Sequence, residues 1–90
     1  MAVQQGMNVQ AVQQSAQQLM QDHNELQDIY QTSNHTVGTM TNHWFGSDAS
    51  QYANEWQSQG QLFQQAMDMI QKMSQTATKQ AQEQSQTSGA

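Results

Sequence analysis

Cysteine, proline and arginine are all missing from this 90-residue chain, and lysine occurs only at Lys72 and Lys79. Without cysteine there is no disulfide, no thiol nucleophile and no thiolate-held zinc, and the redox compartment cannot be read. Without proline nothing forces a helix to break. Two bases against seven acids leave a net charge of −5. That is the wrong balance for displacing counterions from nucleic acid or for holding to an anionic membrane. Residues 1–10 have neither a basic opening nor an apolar block, so no Sec signal peptide is expected. No run approaches the ~20 apolar residues that span a bilayer, so no stable membrane insertion is expected.

Catalytic and metal-binding patterns are equally scarce. Gly46-Ser47-Asp48 is not a nucleophile elbow, and the five glycines are scattered rather than gathered into a phosphate loop. Asp22, Glu25 and Asp28 read as a solvated face. His35 and His43 stand eight residues apart, and no histidine pair has the i,i+4 spacing of a zinc site on a helix. An enzyme is not expected, nor any metal or cofactor.

What remains is glutamine, 22 residues of it, with 34% hydrophobic residues and a mean hydropathy of −0.91. Glutamine is a good helix former. A proline-free chain of this kind reads as long helices with polar faces, within one domain over 1–90.

Two apolar stripes support that reading. Val9, Val12, Ala16, Leu19, His23, Leu26, Tyr30, Ser33, Val37, Met40 and Trp44 alternate steps of three and four, and nine of these eleven are apolar or aromatic. That is a heptad seam, flanked by Met20 and Ile29. A second stripe is expected at Ala49, Tyr52, Trp56, Gln59, Phe63, Ala66, Ile70, Met73, Ala77 and Gln80. It fades beyond Ala81 and is flanked by Leu62, Met67 and Met69. The stripes do not join in phase, because Trp44 to Ala49 is a step of five that contains Gly46. Glycine suits a helix end that turns back through a left-handed residue, and Ser47 or Asp48 can cap the next helix. The expected order is helix 8–43, turn 44–47, helix 48–81 and a flexible tail over 82–90, with the extreme N-terminus also loose.

The fold class is therefore all-α, a helix-turn-helix antiparallel hairpin. One hairpin buries one seam and leaves Met20, Ile29, Leu62, Met67 and Met69 wet. Pairing with a second hairpin into a four-helix bundle dimer would cover them, with a second copy or a different chain as partner. The expected dimer or partner interface draws on Leu19, Leu26, Tyr30, Val37, Met40, Tyr52, Trp56, Phe63, Met67 and Ile70. His23 in the first seam reads as a satisfied interface histidine, with a pH switch as the sharper alternative. The methionines suit an adaptable helix-binding surface, with ordinary core filling as the simpler reading.

Trp44-Phe45-Gly46 between two amphipathic stripes, followed by a small residue (Ala49) and an aromatic (Tyr52), resembles the WXG family. These are small ESAT-like helical hairpins exported by bacterial ESX (type VII) secretion systems. The motif is two fixed residues, and the likeness in architecture covers nearly the whole chain. It implies an export signal at Trp44 and Gly46, a homodimer or heterodimer with a similar small hairpin, and recognition by a type VII secretion ATPase. It also implies a secreted destination without a cleaved peptide, after a cytoplasmic stage. Family members or their partners carry Tyr-x-x-x-Asp/Glu after the second helix. Here tyrosine occurs only at 30 and 52, and Glu83 has Lys79 four residues before it. The resemblance then implies that this chain supplies the turn half of a composite signal and a partner the rest, with a homodimer carrying a degenerate signal left open. The alternative function is a cytosolic adaptor or chaperone that pairs with a helical segment of a larger type VII effector.

Overall fold

The computed structural model describes residues 6–87. They form two α-helices, α1 (Val9–Asn42) and α2 (Ser47–Thr87), which pack against each other as a helical hairpin does; there is no strand among the described residues. The helix limits fall within a residue of expectation except at the end of α2, which runs on past 81 to Thr87. The expected tail over 82–90 is thus helical through 87. Residues 88–90, and the expected loose N-terminus at 1–5, lie outside the described residues.

Local chemistry accounts for helices this long in so polar a chain. Asn8 caps α1: its Oδ1 accepts the Ala11 N–H at 3.1 Å and its carbonyl accepts the Val12 N–H at 3.0 Å. Glutamines brace the exposed faces by donating to acids one turn on, in Gln18 to Asp22 (3.0 Å), Gln51 to Glu55 (3.4 Å) and Gln64 to Asp68 (3.4 Å). Such pairs contribute about 0.2–0.5 kcal/mol each to a helix.

The packing divides into two compact units. One joins α1 up to His23 with α2 from Met69, and the other is Asn24–Asp68. In the first, Ala16, Ser74 and Ala81 are buried, with Val9, Val12, Leu19, Ile70 and Ala77 half-buried around them. Gln84 and Ser85 are half-buried too, so the packed face of α2 does not fade at 81. The Ser74 hydroxyl donates to the Ala16 carbonyl at 2.6 Å. A hydroxyl so satisfied can be buried at little cost. In the second unit Ala49, Gly60 and Met67 are buried, and Leu26, Tyr30, Val37, Thr41, Ala53, Trp56 and Phe63 are half-buried. Tyr30 stacks on Phe63, and Asn34, one turn later on α1, meets Trp56, earlier on α2. The two helices of this unit therefore run antiparallel.

The seam of α2 differs from the expected one by one residue at every second position. Ala49, Trp56, Phe63, Ile70 and Ala77 pack as expected. Tyr52, Gln59, Ala66, Met73 and Gln80, expected to follow each of them by three, are exposed. The chain steps by four instead, to Ala53, Gly60, Met67, Ser74 and Ala81. Four of those five are small. Small side chains let the helices approach closely, and that outweighs the larger apolar area that Tyr52 or Met73 would have buried at wider spacing. Met67 is consequently 2% exposed, not wet on the flank and not available to a partner. On α1 the same shift replaces Met40, which is exposed, with Thr41. Thr41 faces the seam without stranding its hydroxyl, which donates to the carbonyls of Val37 (3.0 Å) and Gly38 (3.1 Å).

Candidate functional site

The last turn of α1 tightens before it stops. The His43 N–H donates to the Met40 carbonyl at 3.1 Å and the Trp44 N–H to Thr41 at 3.3 Å, both across three residues rather than four. Gly46 then takes φ +110°, a value that side-chain-bearing residues rarely adopt. A Cβ there would meet nothing within 4 Å, so backbone conformation alone demands glycine. The Gly46 carbonyl accepts the Ser50 N–H at 3.4 Å. Gly46 itself thus holds the capping position expected of Ser47 or Asp48. Asp48 sits in the first turn of α2, where its carboxylate suits the positive end of the helix dipole.

Around this reversal the aromatic residues form two clusters, both within Asn24–Asp68. At the turn, Trp44 and Tyr52 meet with ring centroids 5.4 Å apart at 51°. Trp44 and Tyr52 both remain exposed, and Phe45, between Trp44 and Gly46, is 86% exposed. Deeper in the unit, Tyr30 lies between Trp56 (6.0 Å, 11°) and Phe63 (5.2 Å, 21°). The indole N–H of Trp56 donates to Asn34 Oδ1 at 2.9 Å. Beside the turn runs a groove of about 270 Å³ lined by Thr41, Trp44, Phe45, Gly46, Ala49, Ser50 and Ala53. Its walls hold no acid, base or thiol. Among the described residues no group of histidines and acids could hold a metal ion, and no helix is long and apolar enough to cross a membrane.

No family model, curated protein or solved structure matches the chain.

The expected interface residues separate into two sets. Leu19, Leu26, Tyr30, Val37, Trp56, Phe63 and Ile70 are half-buried along the packed faces of their own helices, and Met67 is fully enclosed. These hold the hairpin together. Met40 and Tyr52 lie outside the seam, exposed. They belong with Ile29 and Leu62, and all four obey one rule: each immediately precedes a seam residue, respectively Thr41, Ala53, Tyr30 and Phe63. In two right-handed helices packed antiparallel, the residue before a seam position turns to the same side of the seam on both. Within Asn24–Asp68, then, the large exposed apolar side chains of both helices share one side. Most of the residues that follow seam positions are amides on the other side, among them Gln27, Gln31, Asn34, Asn54, Gln57 and Gln64. Met69 and Met73 follow the rule on α2 in the other unit, preceding Ile70 and Ser74.

Three residues escaped the sequence reading. Phe45 breaks no periodicity and so drew no attention except as the middle of a motif. Asn34 could have been found by asking which acceptor satisfies the indole of a seam tryptophan. Gly60 is buried under Tyr30, and a glycine inside a strong helix is itself the signal of close approach.

Proposed function

We propose that this chain is a small non-enzymatic helical-hairpin protein of the WXG type, exported by a bacterial type VII (ESX) secretion system as a substrate or co-secreted dimer partner. The observation that carries the reading is the turn. Trp44 is the second residue after α1 ends, and Gly46, two residues on, makes the reversal through a φ that glycine alone tolerates well. Glycine at 46 thus has a backbone reason, and Trp44 sets its ring against Tyr52, with Phe45 presented to solvent between positions 44 and 46.

The mode of action is helix-to-helix binding. Ile29, Met40, Tyr52 and Leu62 on one side of the Asn24–Asp68 unit are the surface a second hairpin would cover, giving a four-helix bundle with a copy or with a similar chain. A type VII secretion ATPase would read the assembled pair. The alternative, an adaptor that receives a helical segment of a larger effector, would use the same side and show itself by co-purification with a bigger protein.

Export tests the reading. In a bacterium with a type VII system, Trp44→Ala and Gly46→Val are each expected to remove the chain from the culture supernatant while it accumulates inside the cell. Undiminished secretion of both variants, with pairing intact, would exclude the turn as a signal.

A further inference from the structure

We propose that Met69 and Met73 form a paired sulfoxidation site whose modification abolishes association of the hairpin. The proposal rests on the pairing reading above and adds a chemical control to it. The two methionines lie four residues apart on α2, one turn from each other on a single helix face. They are 61% and 54% exposed, whereas Met67, two residues earlier, is 2% exposed. One short stretch of helix therefore presents two thioethers to solvent and withholds a third, so the selectivity is built into the seam. The chain has no cysteine to intercept an oxidant first.

The reactant is a hydroperoxide, hydrogen peroxide being the simplest. A lone pair on the methionine sulfur attacks one peroxide oxygen. The S–O bond forms as the O–O bond breaks, and the departing hydroxide takes up the proton released and leaves as water. Sulfur loses two electrons and the peroxide gains them. The product is a polar, chiral sulfoxide in place of a flexible apolar side chain, and reductases specific for the two epimers restore it. Covered by another hairpin, a sulfoxide oxygen would face apolar side chains without a donor. Each such burial is expected to weaken pairing by about tenfold. Pairing would shield the same two sulfurs, so the unpaired chain is the form that oxidises.

The test treats dilute intact protein with hydrogen peroxide, follows each methionine by peptide mass spectrometry, and measures the association constant by analytical ultracentrifugation before and after. Met69 and Met73 are expected to gain one oxygen each while Met67 stays reduced, and the treated chain to run as a single copy until sulfoxide reductases restore the pair. The comparison is made with Met40→Leu in both proteins, because Met40 is an exposed thioether on the pairing surface itself. In that background Met69→Leu/Met73→Leu keeps the apolar face, and it is expected to stay paired after peroxide. Oxidation of Met67 at the same rate as its neighbours would overturn the site. Unchanged association after full oxidation of Met69 and Met73, or loss of pairing in the leucine variant, would overturn its consequence. A chain already single before peroxide removes the pairing reading and its control together, while the order of oxidation still decides the site.

Discussion

Replacing Tyr30 with alanine is expected to lower the thermal midpoint by more than about 10 °C, read by far-ultraviolet circular dichroism at fixed protein concentration. Tyr30 is the middle ring of three. It stacks on Trp56 at 6.0 Å and on Phe63 at 5.2 Å, two residues that stand one heptad, or about two turns, apart on α2. Removing a large ring from a packed site costs about 3–5 kcal/mol, transfer and cavity together. Being half-buried, Tyr30 belongs at the lower end of that range. The neighbouring backbone offers little compensation, since residues 32–42 of α1 include four threonines, a glycine and a valine, which are poor helix formers. Their helix depends on what it packs against. Amide exchange should therefore accelerate most in the last third of α1. A midpoint shift of only a degree or two would mean that the ring stack holds nothing together.

The second large effect belongs to Gly60, and its sign is diagnostic. A Cβ at Gly60 would collide with the Tyr30 hydroxyl oxygen and stand 3.3 Å from Cζ and 3.4 Å from Cε1 of the same ring. Gly60→Val is expected to cost about 3 kcal/mol, because the ring is held between Trp56 and Phe63 and cannot simply swing away. Gly60→Ala separates the causes. Alanine gains about 1 kcal/mol of helix propensity over glycine, and overpacking costs about 1–3. Beside Tyr30 the substitution should be net destabilising. In a Tyr30→Phe background the colliding oxygen is gone and only contacts that small adjustments relieve remain, so the same substitution should become stabilising. Urea titration of the four proteins gives the cycle. Destabilisation of equal size in both backgrounds would show that Gly60 is needed for something other than this contact.

Gly60 also marks where the sequence was legible and where it was not. The all-helical class, the two helices and the glycine reversal followed from glutamine content, heptad spacing and the phase slip across Trp44–Ala49. On α1 the stripe held from Val9 through Val37, because polar residues flank it and leave few competitors. On α2 each anchor of the seam has apolar or neutral residues both three and four positions on. Hydrophobicity favoured Tyr52 over Ala53 and Met73 over Ser74. Close packing chose the reverse: a ring needed a notch at Gly60, and a serine could reach the Ala16 carbonyl. Ranking residues by oiliness cannot anticipate a contact decided by what is absent from a side chain. That one-residue shift moved Met67 inside and put Met73 beside Met69 on the exposed face, and it turned Tyr52 from a seam residue into the partner of Trp44. The end of α2 was misjudged for a related reason, since Ala81 is too small to look like a core residue yet is wholly buried.

The pairing proposed above covers the apolar side formed by Ile29, Met40, Tyr52 and Leu62 with another hairpin. Sedimentation equilibrium of the purified chain over a dilution series, with helicity followed at each concentration, tests it most directly. Pairing requires the mass of two chains at high concentration and a loss of helix as the pairs dissociate. Full helicity at the mass of one chain throughout the series would contradict it.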